Sequence, residues 1–257
     1  MFGNTSIRTR ITALSLISMT GLIGAITLIN IQQNAAAGSQ TALASRQAIE
    51  RAIEGRLESA AAAQAIQIEK IFSDKYATLG QLSINLSGIK TVSDTYSTAP
   101  DLSRFAADDA VKSTFTNDSS LLGVWGILER NELGNDNDFI NATKYGSNDK
   151  GRFASYWNRS TGTVTNAPTD ESMMYDETLG ESGLPFNYFY TCPVQSGAAC
   201  LAPPFTANLG GQDILMTTLS LPVKKNGVVT GAVGVDLALT DLQNLALTAK
   251  KSVQRGR

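Results

Sequence analysis

Residues 11–30, ITALSLISMTGLIGAITLIN, carry no charged side chain. At about 1.5 Å per helical residue, such a run spans the ~30 Å hydrocarbon core of a bilayer. Arg8 and Arg10 stand before it, and the next basic residue is Arg46. That asymmetry predicts a cytoplasmic N-terminus over 1–10, a transmembrane helix over 11–31, and the rest of the chain outside. A cleaved signal peptide is the alternative, because Ala35-Ala36-Ala37 before Gly38 suits a cleavage site. A signal core is usually about 7–15 apolar residues, shorter than this run.

The next stretch, 32–90, reads as one long amphipathic helix. It is rich in Ala, Glu, Gln, Arg and Leu, and no proline occurs before Pro100. Ile49, Ile53 and Leu57 recur every four residues, and Ile66, Ile71, Leu79 and Leu82 prolong the stripe. Glu50, Glu54, Arg46 and Arg51 mark a charged face. The pattern fits a stalk that pairs with a second copy or packs on its own domain.

Past Pro100 the texture changes. LLGVWGILER (121–130) and RFASYWNRSTG (152–162) read as strands, with a Gly- and Asn-rich loop between them. ILMTTLSLPV and VVTGAVGVDLAL flank Asn226-Gly227, whose residue types suit a tight hairpin turn with positive φ at both positions. Thr240 with Gln243 resembles a capping box for a last helix over 240–257. Long helix, strand, strand, hairpin and helix together predict an α+β fold with an antiparallel sheet over 91–239.

Composition removes several functions. The chain has no histidine and two cysteines, which argues against zinc hydrolases, Ser-His-Asp hydrolases and Cys-His proteases. No motif supplies a catalytic nucleophile or a carboxylate pair, so the chain reads as no enzyme and as needing no cofactor. Arg8, Arg10, Lys250, Lys251, Arg255 and Arg257 lie outside every acidic residue, so the middle of the chain is acidic. An acidic body does not suit nucleic acid. Cys192 and Cys200 bracket a short loop, and outside the cytoplasm they are expected to pair.

These residues resemble a known family. The Arg-flanked anchor, the long helix, GRFASYWNR, DILMTTLSLPV and GAVGVDLALTDLQ together look like the double Cache sensor domain of bacterial methyl-accepting chemotaxis proteins, over nearly the whole chain. The resemblance implies a PAS-like antiparallel sheet flanked by helices, forming a membrane-distal ligand-binding module. It implies a sensor in the periplasm on an inner-membrane anchor, homodimeric through the long N-terminal helix. It also implies a membrane-proximal module beyond residue 257, so the chain reads as the N-terminal portion of a receptor.

For the ligand, the amino-acid-binding branch of that family carries an Arg-x-Trp-Tyr segment whose arginine clamps a carboxylate. The matching region here, LPFNYFYTCP, offers Tyr188, Phe189 and Tyr190 but no arginine. The family's Gly-x-Asp carboxylate is kept as Asp236. An anion beside aromatics predicts an amine, a quaternary ammonium or a flat nitrogen heterocycle as ligand. The expected binding residues are Tyr156, Trp157, Tyr188, Tyr190 and Asp236, with Glu129 at the pocket mouth. Arg152 or Arg159 replacing the missing clamp would restore an amino-acid ligand. A histidine kinase or diguanylate cyclase is the alternative output to a chemoreceptor. Each residue also has a plain reading: Trp157 as sheet core, Asp236 as a helix cap, the arginines as partners of surface carboxylates.

Overall fold

The computed structural model describes the backbone of residues 7–240 and the side chains of 19–34 and 43–240. Residues 1–6 of the expected N-terminal tail and nearly all of the expected last helix lie outside the described residues, and residues 7–10 already belong to a helix. So do the side chains of part of the expected membrane span. Among the described residues no helix is long and apolar enough to cross a membrane. The chain divides into two compact units, Met1–Ala62 and Ala63–Arg257. The first is helical where described, and its Ile49, Ile53 and Leu57 are exposed.

The helix α1 (Ile7–Tyr96) is unbroken, as the absence of proline allows. In the second unit Leu79, Leu82 and Leu86 follow the helical repeat and are all buried. The helix α2 (Pro100–Thr116) opens with Pro at its first position, where a missing N–H costs nothing, and with Asp101 in its first turn. The strands are β1 (Gly123–Leu128), β2 (Ala154–Asn158), β3 (Thr165–Asn166), β4 (Cys200–Leu201), β5 (Phe205–Leu209), β6 (Gln212–Lys225) and β7 (Val228–Ala238). The sheet is antiparallel throughout, in the order β3-β2-β1-β7-β6-β4, with β5 also on β6. Asn226 and Gly227 join β6 to β7 with φ of 52° and 83°, the positive values expected of that turn.

Alternation along the strands gives the sheet two faces. Val124, Val235, Val233, Leu219 and Leu221 face α1 and α2 and close on Leu82, Leu86, Val111 and Phe115. Trp125, Tyr156, Met216 and Ala232 face the other way, toward the segment from 159 to 211. That segment contains a third helix, α3 (Tyr188–Ser196), closed by Gly197 in the left-handed conformation. Cys192 on α3 and Cys200 on β4 form a disulfide with Cα atoms 6.1 Å apart, as expected. It fastens α3 to the sheet.

Several elements differ from the sequence reading: α2 was not foreseen, nor were β3, α3, β4 and β5 within 163–211. In a helix, residues 189 and 190 can both be buried while 188 is less so, which is what is found.

Candidate functional site

On the face away from α1 and α2, β1, β2, β6 and β7 form the floor of a cavity of about 190 Å³. Register explains its composition. Trp125 lies opposite Tyr156 on one side and Gly234 on the other, and Gly123 lies opposite Asp236. Thr218 on β6 lies opposite Asp236. These residues share one face, so a ring, a phenol, a hydroxyl and a carboxylate meet over the middle of the sheet.

Two glycines make this possible. A Cβ on Gly234 would stand 2.2 Å from the Trp125 ring, and one on Gly123 would stand 2.5 Å from the Tyr156 ring. Each ring lies flat over a neighbouring strand only because no side chain occupies that strand there.

Asp236 is 3% exposed. Thr218 Oγ1 donates to its Oδ1 at 2.6 Å. Burial raises its pKa to about 6, held back by the Thr218, Tyr156 and Trp125 donors around it. Tyr156 is 7% exposed, and its Oη adjoins the Asp236 carboxylate. Burial, with the neighbouring Asp236, pushes the Tyr156 phenol well above its ordinary value.

The roof is aromatic. Phe189 of α3 meets Trp125 edge-on at 5.4 Å between ring centres, Phe186 meets Phe189 at 6.0 Å, and Phe205 meets Phe186 at 5.8 Å. Asn158, Thr169, Asn208 and the exposed Asp170 complete the polar lining, and neither Lys nor Arg lines the cavity. The arrangement therefore offers two carboxylates, one phenol and several ring faces to a ligand, and no cationic group. Among the described residues no cluster suited to a metal ion is present.

Of the residues expected from sequence, Tyr156 and Asp236 line this cavity, and the others do not. Trp157 is one residue from Tyr156 and so projects through the opposite face, where its Nε1 donates to Asp108 at 3.1 Å and Lys112 lies 4.9 Å over its ring. Asp108 also accepts from Ser155 at 2.6 Å, and burial raises its pKa. Arg152, 2% exposed, donates to the Leu128 carbonyl at 2.7 Å and to the Tyr190 hydroxyl. It also pairs with Glu129 at 3.3 Å and Glu171 at 3.6 Å. Tyr190 donates to Glu129, so these three residues saturate one another. Arg159 lies 4.3 Å over the Phe115 ring and donates to the Phe115 and Asp118 carbonyls. Tyr188 borders a neighbouring depression.

Sequence reasoning missed Trp125, Thr218, Asp170, Phe186 and Phe205. Every residue of β1 is buried, so no alternation singles out Trp125. The paired glycines at 123 and 234 were the available signal.

Residues 126–244 match the family described as methyl-accepting chemotaxis protein-like, first PDC sensor domain. The chain is 29% identical to methyl-accepting chemotaxis protein TlpQ of Pseudomonas aeruginosa, over 98% of this chain and 35% of that protein. It thus spans about a third of that relative's length. Two solved structures share the fold. The extracellular domain of histidine kinase mmHK1S-Z3 has a TM-score of 0.53 and 23% identity, over 68% of this chain and 54% of that one. Methyl-accepting chemotaxis protein X has a TM-score of 0.50 and 22% identity, over 71% and 63%.

Proposed function

Because residues 126–244 match the first PDC sensor domain of methyl-accepting chemotaxis protein-like chains, we propose that this chain senses a small cation in the cavity over Trp125. The ligand class is an amine, a quaternary ammonium or a flat nitrogen heterocycle. The observation that carries this reading is Asp236, a buried carboxylate on an aromatic cavity whose lining has no basic residue. A carboxylate with one oxygen on Thr218 keeps acceptor capacity for a ligand N–H. Each ring face that meets the cation adds about 0.5–2 kcal/mol. An amino acid would need a carboxylate clamp, and the partners of Arg152 and Arg159 argue against either serving as one.

The role is sensing rather than catalysis. The reading includes an anchor over 11–31, a sensor outside the cytoplasm, and pairing of two copies through α1. N-terminal sequencing of the mature protein tests the anchor, because a start at Gly38 means a cleaved signal. A calorimetric screen of amines, nitrogen heterocycles and amino acids tests the ligand class. Amines are expected to bind without needing a carboxylate of their own. Binding confined to compounds with a free carboxylate overturns the reading.

A further inference from the structure

The cavity over Trp125 shares its roof with a second space. Phe186, Phe189 and Phe205 line both. The outer cavity measures about 340 Å³ and lies between the loop carrying Leu179 and Leu184 and the segment of Pro203 and Pro204. Its wall is largely apolar, with two carboxylates, Asp176 and Glu181, and no Lys or Arg. Leu179 is 69% exposed there, an apolar side chain with little covering it.

The shared wall is not equally firm. Phe189 is buried, rests edge-on against Trp125, and belongs to α3, which the disulfide ties to β4. Phe186 is half-buried and ends a small hairpin that is bonded mostly to itself. Gly180 N–H donates to the Leu184 carbonyl, and Phe186 N–H donates to the Thr178 carbonyl, both at 2.9 Å. Phe186 stands between the other two rings of the shared wall, 6.0 Å from Phe189 and 5.8 Å from Phe205 between centres.

We propose that the outer cavity is a second subsite, which takes the apolar tail of an amine whose head lies at Asp236, and that Phe186 sets the length of tail admitted. The proposal rests on the amine reading above. The charge pattern fits such a ligand: carboxylates line both cavities, and neither lining has a Lys or Arg. The wall fits the tail, since leucine, proline and phenylalanine surfaces gain by covering methylene groups. Each CH2 that leaves water for such a wall tightens binding about fourfold.

The test is calorimetry of the full chain with straight-chain primary amines from propylamine to decylamine. In the wild type, affinity rises with length and then stops rising where the tail meets Phe186. In Phe186→Ala the rise continues at about fourfold per CH2 through longer homologues. Adding Leu179→Asp, at an exposed outer-cavity position, abolishes that extra gain and leaves propylamine unaffected. Thermal melts verify folding, and Phe186→Leu serves as the milder variant should alanine loosen the loop. The subsite is refuted if Phe186→Ala changes all lengths by one common factor, or if Leu179→Asp leaves the long amines unchanged. Propylamine binding to wild type with an unaltered length profile in the variants sinks the subsite alone. No binding by any amine sinks the amine reading, and the subsite with it.

Discussion

Val124 and Trp125 are neighbours on β1 and belong to different environments. Val124 enters a closed apolar layer with Val233, Val235, Leu86 and Phe115. Trp125 borders a cavity that holds a buried carboxylate and a buried phenol. The helix-facing side is filled, and its buried Asp108 is met by Ser155 and Trp157. The other side leaves open space beside Asp236 and Tyr156. Since both faces use the same backbone, close packing on one offsets the cost of an open cavity and a buried carboxylate on the other. The side that contributes less to stability is the side fit to bind.

The largest effect should come from the packed face. Phe115→Ala removes a fully buried ring beneath Arg159 and should cost about 3–5 kcal/mol in denaturant unfolding. A loss below about 1 kcal/mol would erase the contrast between the faces.

Next comes the pH dependence of Asp236. Its pKa is about 6 in the folded chain against an ordinary 3.8, so the folded state holds the proton more tightly. This group therefore favours the fold below about pH 4, and that contribution is lost as pH rises through 6. The change is about 3 kcal/mol. Unfolding of wild type and Asp236→Asn should diverge by that amount between pH 4 and 7, with Asn the more stable at pH 7. Parallel curves would mean that the carboxylate bears no burial cost.

A smaller effect is expected at Gly234. Its replacement by Ala drives a Cβ into the Trp125 ring, costing about 1–3 kcal/mol and displacing the cavity floor. Ligand binding should fall more than stability does. Unchanged binding would show that the Trp125 position is not part of the site.

Least affected should be Trp157→Phe, which keeps the ring on the packed face and drops the bond to Asp108. About 1 kcal/mol of stability should go, with ligand affinity intact. A selective loss of affinity would return Trp157 to the site.

How much of this was legible in the sequence follows the same division. The β6–β7 hairpin was readable because Asn226-Gly227 names its own turn chemistry, and the disulfide because Cys192 and Cys200 lie close together. The helix α2 was not, since its buried side carries Arg104, Ser103 and Asp108 among the apolar residues, which breaks the helical stripe. Pro193 inside α3 likewise discouraged a helical reading of the Tyr188–Tyr190 run. At the site, period-two alternation separates Tyr156 from Trp157 but does not say which of them meets the cavity. Asp236 came from the family resemblance. Phe186 and Phe205 meet only through the tertiary fold, with no spacing to announce them.

The central claim is that Asp236 supplies the anion for a cationic ligand. Calorimetry of the full chain and of Asp236→Asn with the same amine tests it most directly. The substitution keeps the shape and removes the charge, and should weaken binding by about 1.5–3 kcal/mol while the protein stays folded. Equal affinity in the folded variant would contradict the account. So would a dominant loss in Arg152→Ala or Arg159→Ala, with ligands that need a free carboxylate.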